Sequence, residues 1–327
     1  MGLRDTRVLV TPTTFGMHDP RLKTLLEQSV GEVLYNPLPR ALSSEELIPL
    51  VEGVDGFIAG LDRIDASVIR AAGRLKVIAR YGVGLDNVDM EAATAKGIVV
   101  TNTPGANSAA VAELALALIL GLTRGVCKAL ESTRSGLWPR LSGAGLKGKT
   151  VGILGFGRIG KEAASRLKSF DCRVLIFDPQ VQAQEAARHG VIWVELEELL
   201  EKSDIVSLHV PLTPSTRGMV DKGFLGKMKR GSFLVNTARG ELLDEGALLS
   251  ALEEGRLAGA ALDCLSEEPP PKDHPLLQDP RVMVTPHMGA HTDQATSAMG
   301  WMSLEACLAV LKGERPAHVV NPQVYGA

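Results

Sequence analysis

The chain has 327 residues, 45% hydrophobic and 22% charged, with 35 Lys and Arg against 38 Asp and Glu. At about 150 residues per domain this is roughly two ordinary globular domains, large enough to bury their own cores. A net charge of −3 excludes a broad attraction to nucleic acid or anionic lipid, and four cysteines outside any CxxC pair exclude a zinc or disulfide framework.

No secretory core opens the chain, and its most apolar run, 114–122, is half a membrane span. A cytoplasmic enzyme or binding protein is expected, with neither nucleic acid nor membrane among its partners. Short β-branched runs alternate with helical patterns, the signature of parallel βα units. In the first third, strands are expected at 7–10, 32–34, 56–58, 76–79 and 98–100, with helices near 18–28, 44–51, 66–72 and 90–96. Ser43, followed three residues later by Glu46, predicts a capping box. A turn-rich junction at 101–108 leads into 109–124, a helical stretch apolar on nearly every side. It should be buried against a sheet, another domain or another subunit. A glycine-rich loop with Trp138 and Pro139 fills 136–149. From 150 the rhythm restarts, with strands at 151–154, 173–177, 191–194, 205–208, 232–235, 260–262 and 281–284, then a helix near 292–311. The reading is two α/β domains with parallel sheets flanked by helices. Periodicity leaves open which of them the last helix joins.

The strongest local signal is the apolar strand that runs into Gly155-x-Gly157-x-x-Gly160, followed by a helical pattern through Lys168. Gly155 permits the tight turn, Gly157 removes a Cβ that would strike a pyrophosphate, and Gly160 lets helix and strand pack closely. Helix N–H groups then face the anion. The next strand ends in Asp178, 18 residues beyond Gly160, where an acidic side chain accepts hydrogen bonds from an adenosine ribose. Its charge repels a 2′-phosphate, and no Lys or Arg stands beside it, so NAD is favoured over NADP. FAD or S-adenosylmethionine would use much of the same geometry.

Three later segments place polar residues just beyond strands. Arg239 follows 233–236 and is suited to gripping a planar carboxylate, or is a surface arginine after a turn. Glu268, ahead of three prolines, reads by itself as the flank of a solvent-exposed loop. His287, between Pro286 and Gly289, presents an imidazole at a cleft rim or is a buried structural histidine.

Together these motifs resemble the D-isomer-specific 2-hydroxyacid dehydrogenases, most closely the phosphoglycerate dehydrogenase branch. The resemblance runs nearly the whole length: 80–89 (Arg-Tyr-Gly-Val-Gly-Leu-Asp-Asn-Val-Asp), 107–113, the glycine turn, 209–216, 236–240, 263–269 and 285–289. It implies a catalytic trio of Arg239, Glu268 and His287. It places NAD along Gly155, Gly157, Arg158, Ile159 and Gly160, Asp178, His209, Val210, Pro211 and Thr216. Thr237, Ala238, Arg239 and Asp263, then His287, Gly289 and Ala290, complete that cofactor set. Substrate, a small 2-hydroxy or 2-oxo acid, falls to Arg80, Val83, Gly84, Arg239 and His287, and no metal is needed. A flavodoxin-like substrate domain, 1–105 plus 292–327, and a Rossmann-like nucleotide domain, 106–291, are implied. So is a homodimer through the nucleotide domain, to which the 109–124 helix contributes.

The chain departs from the family in two places. Leu265-Ser266 replaces the common aromatic-acidic pair, although Glu268 keeps the family spacing of 29 residues from Arg239. Residues 58–60 lack the arginine that some phosphoglycerate dehydrogenases set near the substrate phosphate, leaving Arg63 or Arg80 for that task. The chain also leaves no room for the serine-sensing domain of the longer enzymes. Glyoxylate or hydroxypyruvate reduction is the nearest alternative, and an NAD(H)-sensing corepressor is the alternative from another class. His18, His189, His274 and His318 carry no motif and read as surface or packing residues.

Overall fold

The computed structural model describes residues 2–326. The chain forms two compact units, Met1–Asn107 with Ala290–Ala327, and Ser108–Gly289.

In the first unit, β1 (Arg7–Val10), β2 (Glu32–Tyr35), β3 (Gly56–Ala59), β4 (Val77–Arg80) and β5 (Val99–Thr101) form one parallel sheet ordered β2-β1-β3-β4-β5. β3 and β4 are buried along their whole length, as strands covered on both faces must be. One face carries Leu47, Val68 and Ile69 of the short crossover helices. The other carries Leu22 and Leu26 together with Met299, Leu304 and Cys307 of the helix Asp293–Leu311. The last helix therefore joins the first unit, which answers the question periodicity left open. The expected capping box is present, with Ser43 N–H donating to Glu46 at 2.9 Å. The first helix starts at Arg21 rather than near 18, because Pro20 lacks an N–H and the Asp19 carboxylate accepts the Arg21 N–H at 3.2 Å.

In the second unit the strands are β6 (Thr150–Leu154), β7 (Arg173–Phe177), β8 (Ile192–Trp193), β9 (Ile205–Leu208), β10 (Ser232–Asn236), β11 (Leu257–Leu262) and β12 (Val282–Val284). They pair in parallel in the order β12-β11-β10-β9-β6-β7-β8. The chain winds outward from β6 through β7 to β8, returns to β9 on the other side of β6, and winds outward again. The winding reverses between β6 and β9, and the C-terminal ends of strands at such a reversal are where doubly wound sheets bind ligands. The apolar helix Ser108–Arg124 is buried along nine of its residues and packs on β10, β11 and the helix Arg158–Lys168. Among the described residues no single helix is long and apolar enough to cross a membrane.

A second helix, Val126–Arg134, lies where the sequence pattern predicts none, and it has no buried residue. Several crossover helices of the second unit, Glu245–Glu253 among them, are likewise not among the elements read from the sequence.

Candidate active site

The glycine turn lies at the reversal point. Gly155 has φ +92°, in the left-handed region, and a Cβ there would stand 2.7 Å from the His209 carbonyl carbon. A Cβ on Gly160 would overlap the Gly155 carbonyl oxygen. The ends of β6 and β9 thus approach as closely as glycine allows. Gly157 begins the helix Arg158–Lys168 without a side-chain cap, and a Cβ on it would meet only open space. Arg158 and Ile159 supply the first turn, whose uncapped N–H groups and dipole favour an anion. The Asp178 carboxylate, at the end of β7, accepts the Phe156 N–H at 2.8 Å and the Gln180 N–H at 2.9 Å, and so reaches back to the same turn.

Next to it, Thr216 Oγ1 donates to the Pro211 carbonyl at 2.7 Å and accepts the Thr213 N–H at 2.8 Å, closing the loop that carries Val210 and Pro211. His209 is partly buried as a residue, but its Nδ1 is shut off from solvent without a partner, while Nε2 lies 2.9 Å from Ser207 Oγ. Burial pushes this imidazole down to about 4. The folded protein therefore holds His209 neutral where an unfolded chain, titrating near 6.5, takes a proton. The contribution of His209 is complete above pH 6.5 and is lost as pH drops towards 4. We expect His209 to account for up to about 2 kcal/mol of the loss between pH 7 and pH 5. Thermal melts of wild type and His209→Asn at both pH values check this, the variant showing the shallower decline.

At the end of β10, Asn236 organises the next turn. Its Oδ1 accepts the Ala238 N–H at 3.0 Å and its Nδ2 donates to the Arg239 carbonyl at 2.7 Å. Thr237 Oγ1 is buried without a partner. The Arg239 guanidinium donates from Nη1 to the Ala238 carbonyl at 2.7 Å. A Cβ on Gly240 would overlap the Leu265 carbonyl, so the loops after β10 and β11 meet backbone to backbone there.

After β11, Asp263 accepts from Thr285 Oγ1 at 2.6 Å, from the Met288 N–H at 2.9 Å and from the Gly289 N–H at 2.8 Å. It pins the turn on which His287 sits at φ +50°, a left-handed conformation unusual for histidine. Glu268 Oε2 lies 2.7 Å from His287 Nδ1, and Glu268 Oε1 accepts the Leu265 N–H at 3.1 Å. Nδ1 is the ring nitrogen engaged by Glu268, and Nε2 is the one that contact leaves open. The two side chains are 34% and 25% exposed, open enough to exchange protons. Glu268, which by its residues alone reads as a solvent loop, is thus turned onto the imidazole. Arg239 and Glu268 both act on the buried Cys264 thiol, which desolvation and the nearby carboxylates push well up and the guanidinium opposes.

The remaining candidates belong to the first unit. Arg80 is buried, and its guanidinium donates to the carbonyls of Gly84 (3.1 Å), Ala59 (2.6 Å) and Gly60. The Gly82 and Val83 carbonyls accept from the Thr103 N–H and Asn102 Nδ2, both at 3.0 Å. N–H and C=O point opposite ways across a trans peptide, so these holds turn the N–H groups of Val83 and Gly84 away from the supporting residues. Arg63 is 79% exposed, 3.8 Å from Asp65. Ala290 opens the return of the chain to the first unit. The anchoring parts of Asn236 and of Asp263 towards His287 are not among the roles read from sequence. An Asn or Asp immediately after a strand is the signal that points to them.

The residues fit a dinucleotide: an uncapped helix start beside a Cβ-free turn, a carboxylate at the end of the next strand, and partnerless buried atoms on Thr237 and His209 along neighbouring strand ends. With a carboxylate–imidazole pair two strands further on, these features make up a candidate site for a dinucleotide beside a carboxylate-held imidazole. Residues 116–289 match the family model described as D-isomer specific 2-hydroxyacid dehydrogenase, NAD binding domain. Over 319 residues the chain is 42% identical to the D-3-phosphoglycerate dehydrogenase of Methanocaldococcus jannaschii, covering 96% of this chain and 59% of that protein. It is also 42% identical to the glyoxylate reductase of Thermofilum pendens, covering 92% of this chain and 91% of the relative. A crystal structure of the TT0316 protein from Thermus thermophilus superposes with TM-score 0.84 at 41% identity over 96% of this chain and all of that one. The chain belongs to the D-isomer-specific 2-hydroxyacid dehydrogenase family, and its second unit contains the family's NAD-binding domain. It spans little more than half of the phosphoglycerate dehydrogenase it matches, and most of the glyoxylate reductase.

Proposed function

We propose that the protein interconverts a D-2-hydroxy acid and its 2-oxo acid with NAD, and that the hydroxy acid is D-3-phosphoglycerate. The 2.7 Å contact between Glu268 and His287 carries the reading, because it is the arrangement an acid–base imidazole needs. In oxidation, neutral His287 takes the hydroxyl proton through Nε2 while Glu268 stabilises the imidazolium at Nδ1. In reduction the same nitrogen returns the proton to the forming alcohol. Arg239 binds the acid's carboxylate with parallel N–H bonds and polarises the adjacent carbonyl, and the N–H groups of Val83 and Gly84 add anion stabilisation. NAD, when bound, supplies the hydride acceptor. Gly155 to Gly160 and Asp178 hold its pyrophosphate and ribose, with His209 to Pro211, Thr216, Thr237, Ala238, Asp263, Gly289 and Ala290 along the rest of its length.

Glyoxylate or hydroxypyruvate reduction is the second reading. The engagement of Arg80 with three backbone carbonyls favours it, since that guanidinium is already committed within its own unit. NADH absorbance with purified protein decides, using 3-phosphoglycerate, glycerate, lactate, malate and the matching oxo acids. Turnover on 3-phosphoglycerate at least about tenfold better than on glycerate supports the first reading, and the reverse order the second. NADH binding without turnover anywhere identifies a sensor. Asp178→Ala should narrow the preference for NAD over NADP by about 10- to 100-fold, through the lost ribose hydrogen bonds and the lost repulsion of the 2′-phosphate. KM values for both cofactors measure it.

The same proposal includes a homodimer through the NAD-binding unit. The helix Val126–Arg134 buries nothing, and an isolated helix of that length is marginal in water. Beside it stand Leu137 and Trp138, 62% and 85% exposed. A second copy covering this apolar segment accounts for both features. Light scattering after size exclusion should find wild type dimeric and Leu137→Ser/Trp138→Ser monomeric.

A further inference from the structure

The loop that presents Glu268 is held by groups outside the trio. Glu245 opens the helix Glu245–Glu253, directly after the N-cap Asp244. Its Oε1 accepts the Ser266 N–H at 3.0 Å, and its Oε2 lies 3.0 Å from His274 Nε2. His274 Nδ1 accepts the Leu276 N–H at 3.3 Å, so the ring proton sits on Nε2 and is donated to Glu245. Both side chains are mostly shielded, the imidazole 16% and the carboxylate 21% exposed. One carboxylate thereby ties the two ends of the segment 266–274, and Glu268 lies inside it.

This loop needs an outside hold. Pro269, Pro270 and Pro271 follow Glu268 directly and have no N–H to bond with neighbouring backbone. Ser266 to Pro269 are exposed, without packing to fix them. The backbone contact at Gly240 fixes only the entry to the loop. The segment's own bonds are few: Glu268 Oε1 accepts the Leu265 N–H, the Pro271 carbonyl accepts the His274 N–H, and the Lys272 carbonyl accepts from Gln278 Nε2, so a tie from a neighbouring helix adds a substantial share of its restraint.

We propose that Glu245 and His274 form a clamp that positions Glu268 against His287. The proposal rests on the acid–base reading above, and both act through Glu268 as positioning residues. Removing the clamp lets Glu268 wander from Nδ1, which weakens the orientation of the ring and the stabilisation of its protonated form while leaving the nucleotide turn intact.

The variants are Glu245→Ala, Glu245→Gln and His274→Ala, each made in wild type and in Glu268→Gln. The first readout needs no substrate: the His287 Nδ1 proton, identified by its loss in His287→Asn, gives a downfield NMR resonance while held by Glu268. We expect it sharp in wild type, broadened or absent in Glu245→Ala and His274→Ala, and partly retained in Glu245→Gln, which keeps the acceptor for Ser266. The second readout is kinetic. In wild type each alanine variant should lower kcat by about 10- to 100-fold with little change in KM for NADH, and in Glu268→Gln by less than about twofold. A resonance as sharp in both alanine variants as in wild type overturns the proposal, as does its absence from wild type. So does an equal kcat loss in both backgrounds, which marks a structural role only. Should Glu245→Ala not fold, His274→Ala carries both readouts. If wild type shows the resonance but turns over no oxo acid, the enzyme reading fails, and the clamp is judged on the resonance alone.

Discussion

Replacing His287 by alanine is expected to lower kcat by about three orders of magnitude, within the range positioned acid–base groups contribute, with NADH affinity nearly unchanged. Both halves follow from location. His287 is the residue whose ring carries a carboxylate at 2.7 Å on one nitrogen and leaves the other for substrate. The glycine turn, Asp178 and the loop closed by Thr216 belong to β6, β7 and β9, and the substitution touches none of them. The αL backbone at 287 makes alanine mildly strained, but Asp263 still pins the neighbouring Met288 and Gly289 N–H groups. Fluorescence titration of NADH and steady-state rates measure the two effects separately. A variant with near-normal kcat removes His287 from the chemistry, whereas a large loss of NADH affinity means that the ring supports the cofactor.

Arg239→Gln is expected to be nearly as severe, lowering kcat/KM for the oxo acid by about 10³-fold, chiefly through weaker binding of the carboxylate and a less polarised carbonyl. Asn236 supports this expectation from below. By holding both the Ala238 N–H and the Arg239 carbonyl it gives the guanidinium a fixed base, so binding the acid demands little ordering of the turn. Arg239→Lys keeps the charge and loses the planar fork, and should recover only about tenfold of the deficit. The KM of the oxo acid and the Kd of NADH distinguish this effect from damage to the nucleotide site. A lysine variant with close to full activity reduces the requirement to a single positive charge.

The nucleotide half of the site is legible in the amino-acid sequence, and the substrate half is less so. Gly155, Gly157, Gly160 and Asp178 lie within one βα unit, where 3.6-residue and two-residue periodicities and short spacings determine which groups meet. Glu268 is the opposite case. Composition alone makes 266–271 a solvated proline loop, and only the resemblance assigns it a role. Its Oε2 reaches His287 because β11 and β12 pair in parallel and bring together loops 19 residues apart in sequence. His274, which reads from sequence as a surface or packing residue, lies half-buried on Glu245 from a third segment.

By itself, then, the sequence determined the two parallel α/β folds, the position of each described strand and the dinucleotide turn, since burial on both faces and backbone sterics leave an imprint over a few neighbouring residues. The tertiary structure alone decided the use of Arg80 as a brace for backbone carbonyls and the ties of Glu245 and His274 on the Glu268 loop, and it placed the last helix where periodicity could not. Hydrogen bonds between loops from different strands depend on sheet order and register, and these come from packing the whole chain, which no local pattern encodes.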